Sequence, residues 1–325
     1  MKKSNYWLAV ILMLIVSAPF RSNVTAYDMS EYHPMAAGDM WITCMTLTVT
    51  GGEAEGTYGP FVVKTIVNGT KLVNGVETVH FESSALGSKN VDHFYYVMDD
   101  EGFKLYETFE RTYEWHTIYD QPYIHCPAQF GLGEHYDGTY SVTVYNIDDD
   151  TLIATATGNN TAVLESVEDV TVPAGTFKDC IKIVGSYTEK TSTEYTNTAE
   201  STTFLYRNVG PIKSNSTTHM ELEEGDITIV TTNELIRASI GGKRYGPCAA
   251  EMLLGPNDAK LAVMRQFRDK ILANNAAGKK LIDQYYNNDE TIMEILYAHP
   301  VMRKMAKNIL ETLVPTMKLL IAVNK

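Results

Sequence analysis

Basic residues are scarce through most of this chain. Between Tyr27 and Pro247 there are 13 Lys and Arg against 32 Asp and Glu, a balance of −19. A surface of that sign repels nucleic acid and anionic lipid, so nucleic acid is not an expected partner. Cysteine is scarce too. Cys44, Cys126, Cys180 and Cys248 lie far apart with no CxxC and no Cys/His cluster, which leaves buried thiols or disulfides of unassigned pairing. Only one long apolar run is present, Trp7 to Val16. It is too short to span a bilayer of about 30 Å comfortably. The chain has no G-x-S-x-G, H-E-x-x-H, P-loop or dinucleotide fingerprint, so the common hydrolase, metalloprotease and nucleotide-binding chemistries find no motif here. No cofactor and no enzymatic activity are expected.

The chain does carry a processing segment. Lys2 and Lys3 precede the apolar run, and Val24-Thr25-Ala26 ends it with small residues, the pattern of a signal peptide over residues 1–26. Export to the periplasm or the extracellular space follows. The first cysteine after the run is Cys44, so a lipid-modified N-terminal Cys is not expected.

Residues 27–240 read as an antiparallel β domain. Trp41, Thr43, Met45, Leu47 and Val49 alternate with Ile42, Cys44, Thr46 and Thr48, the period of a strand. Asn68-Gly69 and Asn74-Gly75 are both hairpin signals, and about ten strands follow in succession with no convincing helix between them. The centre of the pattern is Val170 to Val184 (VTVPAGTFKDCIKIV), where Pro173 and Gly175 force a corner and Phe177 and Ile181 resume a core face. The fold class is mainly β with an α tail: a curved antiparallel meander, half-barrel-like, curved or closed to protect its edges. A Gly-rich linker is read at 241–247. From Cys248 the period changes to 3.6, and the charge balance to +3. Amphipathic helices are predicted from Asp258 to Ala273, Ala277 to Tyr286, Glu290 to Ala298 and Val301 to Val314, the last with Met302, Met305, Ile309 and Leu313 on one stripe. They are expected to fold separately from the sheet.

Candidate chemistry is thin. His116, His125 and His135 are spaced nine and ten apart and read as loop residues near Pro122 and Pro127; no metal site is expected. Asn146 to Asp150 lacks the Gly and Glu of a calcium loop. Cys248 has no His partner nearby in sequence. Arg265 and Asp269 read as an i, i+4 ion pair on a helix.

The β domain resembles a family of uncharacterised exported bacterial proteins. The resemblance rests on Gly38-Asp39-Met40-Trp41, the V-x-V-P-A-G-T-F-x-D-C corner, and Tyr206 to Lys213 with its Val209-Gly210. Trp41, Pro173, Gly175, Phe177, Cys180 and Gly210 are its motif residues here. That family is similar in pattern to the lipoprotein carriers LolA and LolB, whose curved sheet can hold an acyl chain. The tail resembles a helical C-terminal domain that opens with a C-F-I-A-T-A-A-Y-G box, of which Cys248 to Gly255 is a shortened form. The resemblance implies a hydrophobic or lipid-like ligand on a concave sheet face. A filled sheet points instead to an interaction module whose helical tail docks a partner or makes a peripheral membrane contact.

Overall fold

The period-2 segments pair with their neighbours in sequence order and then close on themselves. The computed structural model describes residues 26–323 apart from 112, 193–194, 222–224 and 256–257; the signal segment lies almost wholly outside them. The strands are β1 (Ala26–Asp28), β2 (Met40–Thr50), β3 (Gly56–Val73), β4 (Val76–Ala85), β5 (Asp92–Met98), β6 (Gly102–Glu110), β7 (Trp115–Pro127), β8 (Gln129–Gly131), β9 (His135–Asn146), β10 (Leu152–Val172), β11 (Gly175–Thr191), β12 (Thr196–Tyr206), β13 (Gly210–Met220), β14 (Ile227–Ile240) and β15 (Lys243–Tyr245). Twelve of them, all but β1, β8 and β15, form one ring, because β14 pairs with β2 along one edge and with β13 along the other. Every pairing is antiparallel. The curved meander is therefore a closed barrel, which leaves the ring no open edge.

Several sequence signals resolve differently in three dimensions. Of the two Asn-Gly pairs, only Asn74-Gly75 makes the turn, with φ of 50° and 83°. Asn68-Gly69 is a bulge inside β3; φ is positive at Gly69 alone, so the two-residue turn geometry is not met. His116 and His125 are in β7, not in a loop, and His135 opens β9. Pro122 is accommodated because β7 breaks register between Tyr123 and Ile118 opposite β6, and a bulge needs no donor there. The segment read as a linker is a hairpin. Gly241 and Gly242 take φ of 55° and 77°, and β15 pairs back on β14. The Gly241 N–H donates to Asp39 Oδ1 at 2.8 Å.

One end of the barrel is sealed by two pieces. The first is the lead-in: β1 pairs with β8, and a single 3-10 turn at Met29–Tyr32 buries Met29 and Tyr32 against Phe130, Leu164, Ile181 and Leu205. The second is the Pro173-Ala174 corner between β10 and β11. The Ala174 N–H donates to the Leu235 carbonyl at 2.9 Å, so the tip of this long hairpin reaches β14. A bulge at Lys178–Asp179, with φ of +57° at Asp179, separates Phe177 from Ile181. Both are buried, but in different clusters: Phe177 with Trp41 and Cys180, Ile181 with Leu164 and Leu205.

The helices are α1 (Ala249–Leu254), α2 (Ala259–Lys270), α3 (Ala276–Ala298) and α4 (Pro300–Val323). The second and third predicted helices are one. α3 runs through Asn287 and Asn288 because Asp289 is anchored from outside the helix, accepting from Arg237 Nη1 at 2.7 Å and from the Ala249 N–H at 3.1 Å. α4 continues past Pro315. The tail does not stand apart from the barrel. Ala249, Leu253, Leu261, Met293 and Leu296 pack on the outward residues Met40, Ile42 and Val62 and on Ile236. The predicted Arg265–Asp269 pair is not formed; Arg265 pairs with Glu251 of α1, and Arg268 takes Asp269.

Candidate functional site

The barrel is hollow. Alternate residues point inward, and they enclose a cavity of about 610 Å³, within the range of about 300–1,000 Å³ typical of ligand pockets. Its floor is apolar: Trp41, Phe81, Phe103, Leu205, Ile212 and Leu235. Two residues further along several of the same strands the lining changes to Thr43, Ser83, Thr203, Ser214 and Asn233, with Thr65 and Ser201 in the same belt. This hydroxyl belt is the wet-face use of Thr and Ser turned inward. The cavity reaches the surface at the β4–β5 turn, where Ser88 and Asn90 line it and are exposed.

The floor is held rigidly. The Trp41 indole N–H donates to the Val209 carbonyl at 2.6 Å, and its ring stacks 6.1 Å from Phe81. Gly210, at φ +89°, lies against it; a Cβ there would sit 3.3 Å from Pro34 and 3.5 Å from Trp41 Nε1. His33, from the lead-in, stacks on Phe103 at 4.1 Å. A bulge in β7 opposite β6 brings both His125 and Cys126 to the cavity wall, although they are consecutive. Enclosure by the aromatic rings pushes His125 down to about 4 and His33 down to about 3. Both imidazoles are therefore neutral at pH 7. The same burial pushes the Cys126 thiol up to about 12 and the Tyr123 phenol to about 12, so neither supplies an anion.

The charged residues among those lining the cavity are Asp92 and Lys213. Asp92 accepts the Arg111 N–H at 2.8 Å, and Lys213 is paired with Glu234. Two enclosed polar atoms of lining residues, Asn233 Oδ1 and His125 Nε2, have no hydrogen-bond partner. Unsatisfied buried groups are uncommon and call for an explanation, such as a polar atom brought by water or a ligand.

The motif residues converge. Trp41, Phe177 and Cys180 share one buried cluster with Val170, Val172 and Val209, while Pro173 and Gly175 (φ +130°) form the corner that carries it. Of these only Trp41 lines the cavity; the others in the cluster pack with the floor residues Trp41, Phe81, Ile212 and Leu235. Cys248 is elsewhere: it is the N-cap of α1, where its N–H donates to Glu251 Oε2 at 3.1 Å. All four cysteines are free thiols. The Asn146–Asp150 segment is a polar turn, with Asn146 Oδ1 accepting from the Asp148 N–H. His116 pairs with Glu107 at 2.9 Å. No reading of the sequence singled out His33 or the hydroxyl belt. The alternation of Trp41, Thr43 and Met45 was the available signal, but it does not say whether that face is filled.

No family model matches the chain, and no curated protein matches it. The solved structures similar to part of this chain include two bacterial proteins. One is a Parabacteroides distasonis protein assigned as a lipoprotein, 16% identical, covering 63% of this chain and 97% of its own with a TM-score of 0.36. The other, from Bacteroides fragilis, is assigned as an exported protein with a YmcC-like fold, 15% identical, covering 64% and 98% with a TM-score of 0.38.

Proposed function

We propose that this is an exported, non-enzymatic binding protein that holds an elongated amphipathic, lipid-like molecule inside its barrel. The single observation that carries the reading is the cavity, about 610 Å³ with an aromatic and aliphatic floor below a hydroxyl belt. Such a gradient suits a ligand whose apolar end enters first and whose polar end stays near Ser88 and Asn90. The N-terminal segment supports export. Outward positions on β11 to β13, such as Lys182, Ser186, Glu200, Asn215 and Thr217, are polar, which fits a water-facing wall better than a lipid-facing one.

Fluorescence displacement tests it. The purified protein should bind a fluorescent fatty acid, and Thr203→Trp, which puts an indole into the cavity and narrows it, should weaken that binding by about tenfold or more while costing about 1–3 kcal/mol in stability at most. Absence of displacement, together with no co-purifying lipid by mass spectrometry, would sink the proposal.

A second reading is favoured by α4. The stripe expected to pack, Met302, Met305, Ile309 and Leu313, is 44–59% exposed; Ala306, Leu310 and Val314 face the protein instead. Arg303, Lys304, Lys307 and Lys318 are on the same helix, the make-up of a helix that lies on an anionic membrane surface. Among the described residues no helix is long and apolar enough to cross a membrane. Flotation with vesicles containing phosphatidylglycerol should carry the protein upward, and Met305→Glu with Ile309→Glu should abolish this. No flotation of the unaltered protein would discard the membrane reading.

A further inference from the structure

We propose that the outer wall of the barrel carries a divalent-metal site built from His80, Glu82 and His93. His80 and Glu82 are two apart on β4 and so project to the same face, opposite to the cavity residues Phe81 and Ser83. His93 on β5 is the cross-strand partner of Glu82. The sheet therefore brings three ligating side chains to one corner of its outer surface. His80 Nε2 and His93 Nδ1 lie 2.9 Å apart, and each is 3.8 Å from Glu82 Oε1.

That triangle is close to what a metal requires. Zinc bound at about 2.0–2.1 Å by tetrahedral ligands holds its donor atoms about 3.3 Å apart. Shifts of roughly half an ångström in side chains that are 16–31% exposed bring the three atoms to that spacing. A hydrogen bond between the two imidazoles accounts for the 2.9 Å contact alone. It does not require a carboxylate oxygen equidistant from both nitrogens.

Each ligand is also held in place. His80 stacks on Tyr95 at 4.8 Å, and His93 meets Phe109 edge-on at 6.4 Å. Glu82 Oε1 accepts from Asn68 Nδ2 at 2.8 Å, which gives the Asn68-Gly69 bulge a role. Such supporting contacts orient metal ligands. The neighbouring Lys71 lies over the Tyr95 ring and is paired with Glu107 at 2.9 Å, so its charge is partly offset. Two imidazoles and a carboxylate suit Zn²⁺, Cu²⁺ or Ni²⁺ rather than Mg²⁺ or Ca²⁺. Three protein ligands leave a position open to water or to an external donor.

Zinc competition against a chelating dye, on purified chelator-stripped protein, tests the site. The unaltered protein should take up one Zn²⁺ per chain. His80→Ala and His93→Ala should each lower the affinity by about a hundredfold, and Asn68→Ala by about tenfold. His116→Ala, on the neighbouring Glu107 pair, should leave it unchanged. Thermal melts in chelator verify that each variant is folded; if His80→Ala is not, the more exposed His93→Ala carries the test. No uptake by the unaltered protein, equal affinity in the His80→Ala/His93→Ala double variant, or loss on His116→Ala would each overturn the proposal.

Discussion

Asp289→Ala is expected to lower the unfolding free energy by about 3–5 kcal/mol, because it strands a buried guanidinium. The ion pair between Arg237 and Asp289 is 2.7 Å long, and its side chains are 4% and 2% exposed. Its origin is a bulge. β14 slips one residue against β2 between Leu235 and Arg237, so Ile236 and Arg237 are consecutive and both lie beneath the helices, while Leu235 lines the cavity. The second carboxylate oxygen of Asp289 accepts the Ala249 N–H at the start of α1. One side chain therefore joins β14, α1 and α3. Urea unfolding followed by near-UV circular dichroism measures the loss, and Asp269→Ala, at a surface pair, is the control, expected within about 0.5 kcal/mol. Ending the chain after Tyr245 removes the same anion and uncovers Met40, Ile42, Val62 and Ile236, so aggregation is the expected result. A truncated protein that stays soluble with an unchanged midpoint, or an Asp289→Ala variant as stable as its parent, would show that the helices contribute nothing to the barrel.

Phe177→Ala should cost about 3–5 kcal/mol, the range for a large aromatic ring removed from a core. The ring is 8% exposed and meets Tyr206 edge-on at 5.0 Å. It packs in the cluster of Trp41, Val170, Val172, Cys180 and Leu235. Phe177→Leu keeps most of the volume and should cost less than about 1.5 kcal/mol. Melting and urea midpoints of the two variants separate a packing loss from a backbone one. A Phe177→Ala variant within about 0.5 kcal/mol of the parent would mean the corner rests on the floor without sealing it.

How much of this was legible differs from feature to feature. The β2 alternation put Trp41, Thr43 and Met45 on one face, and they do face inward together. The Pro173–Gly175 corner was legible because Pro and Gly restrict the backbone locally. β7 was not legible. Pro122 argues against a strand in any local reading, and only the bulge between β6 and β7 makes it harmless. The continuity of α3 was hidden for a similar reason: Asn287-Asn288-Asp289 reads as a break until Arg237 is placed opposite it. The exposed stripe of α4 was visible as a pattern, but a stripe does not say which side a neighbour takes.

Local chemistry in the chain determines most of the strands, the Asn74-Gly75 turn, the helical tail and the change of period after Gly242, because each depends on side chains a few residues apart. Closure depends on β14 meeting both β2 and β13, pairings that join residues nearly two hundred positions apart at one edge. Whether the enclosed face is packed or hollow follows from that closure. A ring of twelve strands is too wide for Thr, Ser and single aromatic residues to fill, so space remains above the floor. The outer corner where His80, Glu82 and His93 meet has the same cause: β4 supplies two of its members by local alternation, and only the β4–β5 register brings the third.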